Sequence, residues 1–336
     1  MKKNRLYVAG AVFFVLAVVV AFCTYQITSS PYNDKEPVCI YVDEDDDVDS
    51  IKVKMHEVGA STTGFSILNM VKRYRTRTGR YEITPSTSAF NLYRKLKNGQ
   101  QDPVNLVVPS VRDLDKLAGT MARNLMIDSA TISKALHDED FISALGYDKE
   151  TIPALFIPNT YQVFWNISVE KLFERLKTEN SRFWNEERTN KAKAINMSTT
   201  EVYTLASIVD EETANNAEKP MIAEMYLNRL AIGMPLQADP TVKKAVGDWS
   251  LRRILHEHLK VNSPYNTYIN TGLTPGPLRI ATIAGIDAVL NHADHNYLYM
   301  CAKEDFSGTH NFATTYSEHL KNAHKYVEAL NARGIK

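Results

Sequence analysis

The sequence predicts an α+β protein made of a single N-terminal transmembrane helix, a small α+β module and a larger, mostly helical mixed α/β domain. Three patterns predict it. An uncharged run from Leu6 to Tyr25 has the length, about 20 residues, that crosses a bilayer as a helix. Between residues 37 and 110, extended and helical patterns alternate and both are short, as in a small α+β module. From Arg112 onward, apolar residues recur at helical spacing in one segment after another. The 336 residues, 44% of them hydrophobic, suffice for a packed core, and that balance excludes a disordered or fibrous chain.

The apolar run is preceded by the basic Met1-Lys2-Lys3-Asn4-Arg5. Such a flank stays on the cytoplasmic side of a membrane, so the chain after Tyr25 is expected outside the cytoplasm. The layout that follows is a cytoplasmic tail (1–5), a transmembrane helix (6–25), a polar, turn-rich linker (26–36), a module (37–110) and a domain (111–336). A cleaved signal peptide shares the charged flank and apolar core, but no small-x-small site follows them here. A lipoprotein site at Cys23 is disfavoured by the bulky Phe22 before it.

In the module, Val38 to Val42 reads as a strand. The acidic run Asp43 to Asp49 lacks the glycine and terminal glutamate of a calcium loop and reads as a solvated loop. Helices are expected over Ser50 to Val58, Gly64 to Tyr74 and Ala89 to Lys97, and strands over Gly79 to Ile83 and Val104 to Val108. Beyond Arg112, helices are expected over Leu114 to Asn124, Ala130 to Leu136, Asp140 to Leu145 and Val169 to Trp184. Phe156 to Trp165 interrupts them with aromatic residues in an extended context. Its Tyr161 and Trp165 suit either core packing or a cleft in which sugar faces stack on rings.

Ser198-Thr199-Thr200-Glu201 fits a capping box, which starts a helix running to about Thr213. At about 100° per residue, Val202, Leu205, Ala206 and Val209 form one apolar stripe. Three acids end the helix. Glu211 projects nearly opposite the stripe, Asp210 lies on its flank, and Glu212 follows Leu205 and Val209 and lies nearest the core. A carboxyl held against apolar surface, at the negative end of a helix dipole, has its charged form disfavoured and its pKa raised. That is the property of a general acid, although a structural hydrogen bond or salt bridge at a helix end has the same signature. A second helix over Met221 to Leu230 ends before Gly233. Asp239-Pro240 marks a turn, and Tyr265 to Tyr268 and Gly272 to Pro277 are further turn-forming segments of the kind that line sites.

Composition adds exclusions. Lys plus Arg and Asp plus Glu number 39 each, so no global charge draws the chain to nucleic acid. The histidines form no compact ligand set with a partner acid, and no metal or cofactor is expected. Cys23, Cys39 and Cys301 show no ligand spacing and no disulfide framework, and a Cys39–Cys301 pairing is not readable from sequence.

Together, Leu205 to Ala214, Tyr226 to Leu230 with Gly233-Met234, Leu236 to Val242, Tyr265 to Tyr268 and Gly272 to Pro277 resemble the endolytic murein transglycosylase family (MltG, YceG-like). Tyr297 to Tyr299 and His310 to Phe312 with His319 look like that family's closing strand and loop. The likeness continues upstream through Gly79-Arg80-Tyr81 and the segment around Pro158 to the N-terminal anchor. It implies a LysM-like module and a catalytic domain facing the periplasm from the bacterial inner membrane. The implied reaction is cleavage inside peptidoglycan glycan strands, ending nascent strands beside the peptidoglycan synthases. The catalytic glutamate of the family's Glu-x-Glu-Thr pattern falls on Glu212, with Asp210 in place of the first glutamate. A second departure follows Pro277, where Arg279-Ile280-Ala281-Thr282 replaces the usual Asn-Pro-Gly turn.

The implied chemistry breaks the MurNAc–GlcNAc bond without water. One glutamic acid protonates the leaving oxygen; as glutamate it then deprotonates the muramoyl 6-hydroxyl, which attacks the anomeric carbon and leaves a 1,6-anhydro end. Substrate-binding candidates are Asp210, Gln237, Asp239, Thr241, Tyr265, Asn266, Asn311 and Tyr161. A noncatalytic peptidoglycan-binding scaffold and a water-using muramidase are the competing readings.

Overall fold

The computed structural model describes residues 2–71, 75 and 77–334 and divides into two compact units. The first comprises the chain to Leu106 with Asn124–Met126 and Gln162–Ile167; the second comprises Val107–Arg123, Ile127–Tyr161 and the chain from Ser168 onward.

The first unit begins with α1 (Lys2–Thr28). Its stretch Asn4–Thr28 is long and apolar enough to cross a bilayer. From Asn4 to Phe22 the side chains are exposed all round, whereas Cys23, Gln26 and Ile27, one stripe at helical spacing, are half-buried. There α1 packs on α3 (Thr63–Val71) and α4 (Ala89–Asn98). Gly64 permits the approach: a β-carbon there would overlap the Gln26 carbonyl and lie 2.6 Å from Cβ of Ala89. Residues 26–36 are therefore not the free linker the sequence suggests. The carbonyl of Ser29 accepts from Ala89 N–H at 2.9 Å, that of Pro31 accepts from Ser61 N–H at 2.7 Å, and Tyr32 joins the core. Backbone groups do this docking, so side-chain polarity does not reveal it.

The remaining elements of this unit are β1 (Val38–Val42), α2 (Val48–Glu57) and β2 (Gly79–Ile83), with β3 (Val104–Val108) at the boundary. β1 and β2 pair antiparallel, from Val38 opposite Ile83 to Val42 opposite Gly79. Ile40, Ile51, Phe65, Tyr81, Leu92 and Leu96 fill the space under them. The acidic run is more than a solvated loop: Asp47 caps α2, accepting from the N–H of Asp49 and Ser50, and Asp43 and Asp46 both hold Lys54. α3 ends at Val71, and Lys72 to Tyr74 of the expected helix lie outside the described residues. Trp165 packs edge-on against Tyr41 with ring centroids 5.1 Å apart.

The second unit contains α5 (Leu114–Ala122), α6 (Ser129–His137), α7 (Glu139–Leu145), α8 (Val169–Phe183), α9 (Glu186–Ala194) and α10 (Thr199–Glu212), and β4 (Asn159–Val163), like β3, falls at the boundary. These are followed by α11 (Lys219–Ala231), α12 (Asp239–Val246), α13 (Ile283–Leu290), the antiparallel pair β5 (Tyr299–Ala302) and β6 (His310–Ala313), and α14 (Tyr316–Ala332). α10 is the centre. Packed by α9, α11, α12 and α13, it is buried without a break from Val202 to Asp210. Its start is the expected capping box, Ser198 with Glu201. Asp239-Pro240, read as a turn, instead begins α12 with proline in the first turn, where its missing N–H costs nothing and its fixed φ suits a helix. His319 belongs to α14 rather than to a closing loop; a second capping box, Thr315 with Glu318, starts that helix.

Candidate active site

The three acids that end α10 have separate environments. Asp210, its side chain 1% exposed, bonds Nζ of Lys219 at 2.6 Å and accepts from the Thr282 N–H at 2.6 Å and hydroxyl at 2.8 Å. Glu211, its side chain 5% exposed, accepts from Nε and Nη2 of Arg112 at 2.7 and 2.6 Å and from Nη1 of Arg279 at 3.2 Å. Glu212 has no salt-bridge partner among the described residues; the Tyr226 hydroxyl donates to its Oε1 at 2.7 Å. Helix phase thus separates the acids wrongly in one respect: Glu211 is not turned to solvent, and Asp210 is buried as deeply as the core. A helix surrounded on all sides has no outer face. The partners separate the acids instead, since two carboxylates have cations and the third has a phenol.

Burial therefore acts on Glu212 without a cation bound to it. It raises the carboxyl from 4.5 to about 7, opposed by the Tyr226 hydrogen bond and Arg229 and assisted by Asp239 and Glu211. Glu212 keeps partial access to solvent, through a cavity of about 340 Å³ on which it opens. Tyr226, Arg229, Gln237, Asp239 and Tyr268 line that cavity from α11, the start of α12 and the loop before α13, and Tyr299, His310, Tyr316 and His319 line it from the chain's last elements.

Each wall is held. Arg229, its pKa lowered mainly by burial, donates from Nε to the Leu298 carbonyl at 2.6 Å and from Nη1 to that of Leu236 at 2.5 Å. It sits 5.6 Å from the Tyr299 ring. Tyr268 donates to Oδ1 of Asp239 at 2.6 Å. Gln237 has φ +48°, a left-handed conformation costly for a side-chain-bearing residue and common at sites whose surroundings enforce it. His310 is fixed by Glu218, its N–H donating at 2.6 Å and its Nδ1 lying 3.0 Å from the other oxygen. The His319 ring stacks on Tyr299 at 5.5 Å; its Nδ1 is buried without a partner among the described residues, and burial lowers its pKa.

Residues 40–325 match the sequence profile of the YceG-like family. The chain belongs to that family. It is similar to the endolytic murein transglycosylase of Bacillus subtilis, 29% identical over an alignment of 271 positions that covers 76% of this chain and 74% of the relative. The enzyme of the same description from Streptococcus pneumoniae D39 is 27% identical over 88% of this chain, which spans 60% of that relative's length. A crystal structure of a yceG-like protein from Listeria monocytogenes superposes with a TM-score of 0.54 at 25% identity, covering 86% of this chain and 99% of that one.

Of the site residues expected from sequence, the structure brings Glu212, Gln237 and Asp239 together. It places the others elsewhere. Asp210 is consumed by Lys219 and Thr282. Thr241 is fully buried, donating to the Ala238 carbonyl and 2.7 Å from the Thr267 hydroxyl. Asn266 is fully buried and donates to the carbonyls of Leu259 and Val261. Tyr161 is core, its hydroxyl bonded to the Ile157 carbonyl at 2.7 Å, and Asn311 donates to Glu304 at 2.7 Å. Tyr265 lines a different, smaller cavity with Lys244 and Arg279. Polar side chains in turns bond first to their own backbone, which accounts for Thr241 and Asn266.

Sequence reasoning missed Tyr226, Arg229, Tyr299, Tyr316 and His319 as cavity residues. For Tyr226 and Arg229 a signal exists: they are polar-tipped, three apart on one helix, and so share a face. The cavity residues of β5 and α14 meet Glu212 only through the fold.

Proposed function

We propose that the protein is an endolytic murein transglycosylase that cuts the MurNAc–GlcNAc bond within glycan strands, with Glu212 as both acid and base. The observation that carries this reading is a carboxyl without a cation partner, raised to about 7, opening on a cavity walled by phenols, Arg229 and Asp239. The family match and the murein-cleaving relatives support the same reading. With Oε1 accepting from Tyr226, Oε2 is the oxygen left to carry the proton. It delivers that proton to the leaving glycosidic oxygen. The resulting carboxylate, steadied by the phenol, removes a proton from the muramoyl 6-hydroxyl as that oxygen closes on the anomeric carbon. Gln237, Asp239 and Arg229 are the side chains proposed to hold the sugar, and the exposed Tyr316 offers a ring to it.

The order β1, α2, α3, β2 with β1 and β2 paired antiparallel supports a LysM-like, glycan-holding module in the first unit. The exposed apolar helix α1 supports a single-pass anchor in the inner membrane with the catalytic unit outside the cytoplasm. Work on nascent strands beside the synthases is an analogy with the family.

Mass spectrometry of strand ends decides the reaction after full-length protein is incubated with uncross-linked glycan strands. Anhydro ends are expected. Reducing ends would identify a water-using muramidase, and intact strands a noncatalytic scaffold.

A further inference from the structure

The second unit holds a larger cavity, about 680 Å³, whose wall includes Arg112, Lys116, Lys244, Trp249 and Arg279 with the acids Asp113 and Asp115. It adjoins the same end of α10 as the catalytic cavity. Glu211 sends its carboxylate to Arg112 and Arg279 in this wall, while its neighbour Glu212 turns to Tyr226.

The charges of this wall do not balance. One carboxylate, Glu211, serves two guanidiniums. The two other acids are engaged on the frame. Asp113 caps α5, accepting from the N–H of Asp115 and Lys116 at 2.8 and 3.1 Å, and Asp115 accepts from the Ser133 hydroxyl at 2.5 Å. Lys244 is half-buried, has no salt-bridge partner among the described residues and stands 5.5 Å over the Tyr265 ring. Burial lowers its pKa, with Asp113 opposing, as for a cation whose counter-ion is inadequate. Arg112 lies 4.5 Å over the Trp249 ring, which fixes the guanidinium plane; with Nε and Nη2 on Glu211, Nη1 is the nitrogen left to a ligand. Arg279 is spent on the frame, donating from Nε and Nη2 to the Ser110 hydroxyl and carbonyl and from Nη1 to Glu211.

We propose that this cavity binds a carboxylate of the stem peptide carried by the glycan strand, with Lys244 as its counter-ion and Arg112 beside it. The proposal rests on the murein-cleaving reading. While its lactyl groups are amide-bonded to peptide the sugar backbone brings no charge, whereas the peptides on its muramoyl sugars end in carboxylates. Glu211, which bonds Arg112 and Arg279 of this wall, and Glu212 are consecutive, and three extended residues of peptide span about 10 Å, the reach that the proposal asks of the stem peptide.

The test uses full-length Glu212→Gln protein in lipid nanodiscs, titrated calorimetrically with three forms of uncross-linked strand. These carry intact stem peptides, no peptides after amidase treatment, which leaves a lactyl carboxylate on each muramoyl sugar and so separates a carboxylate on the peptide from one on the sugar, or peptides with carboxylates converted to carboxamides. Intact strands are expected to bind about tenfold more tightly than either other form, the scale of one ion pair of about 1.4 kcal/mol. Lys244→Glu in the same background is expected to bring that ratio close to one, and Lys244→Met to lower it, which guards against misfolding of the first variant. Equal affinities for the three strands, or an unchanged ratio in both Lys244 variants, overturn the proposal. Strand ends formed by protein with Glu212 intact report on the reaction separately. Anhydro ends without a peptide preference sink the cavity proposal alone, and a peptide preference without cleavage sinks the transglycosylase reading alone.

Discussion

Asp210, Glu211 and Glu212 carry the same functional group on consecutive residues, and their neighbours give them different chemistry. As the proposed acid, Glu212 has to begin the reaction protonated, so kcat/KM is expected to fall as pH rises through about 7. Tyr226→Phe removes the hydrogen bond that favours the anion. The falling limb then moves to higher pH, and kcat drops about 10- to 100-fold, the scale of a hydrogen bond to a charged group. The same shift sets a stability profile. The folded-state pKa lies above the ordinary 4.5, so ionisation opposes folding. The penalty is absent below about pH 4.5, grows toward 7 and is complete above it. Glu212→Gln is therefore expected to match wild-type Tm at pH 4 and exceed it at pH 8, by about 1–3 kcal/mol of stability. Asp210→Asn acts oppositely. It leaves Lys219, its side chain 5% exposed, without its anion and should cost about 3–5 kcal/mol in urea denaturation at pH 7.

At the scale of elements, the catalytic end of α10 is held by α13 as much as by its own sequence. Asp210 reaches the N-terminal cap of α13 through Thr282, and Gly285 lets that helix come close. A β-carbon at Gly285 would lie 2.5 Å from Oδ1 of Asp210. Gly285→Ala is expected to lower stability by about 1–3 kcal/mol, measured as a fall in Tm, and to lower kcat by displacing Glu212. Elements with strong local signals were legible. The strand ranges Val38–Val42, Gly79–Ile83 and Val104–Val108 and the start of α10 at its capping box are read directly from periodicity and caps. α9 and α14 were not expected. α9 buries only Ala192 and α14 buries none of its residues, so neither has the apolar stripe from which a helix is read.

At the scale of the molecule, the apolar helix α1 is built into the first unit by its own last turns. Because Cys23, Gln26 and Ile27 are half-buried and Gly64 is fitted to the Gln26 carbonyl, a soluble form beginning at Ser29 is expected to melt lower than one beginning at Cys23. Differential scanning calorimetry of the two truncations checks this, and equal melting temperatures would show that α1 contributes nothing below the bilayer. The sequence by itself determined the apolar span, the order of short and helical segments and the position of Glu212 within a recognisable motif. These are properties of neighbouring residues, and local periodicity records them. The tertiary structure decided which of the three acids lacks a cation, which polar residues face the cavity and which are spent on their own backbone. Lys219, Arg112 and Arg279 find their carboxylates across gaps of 9, 99 and 68 residues, and a charge balance made at such separations leaves no trace in the pattern of any one helix.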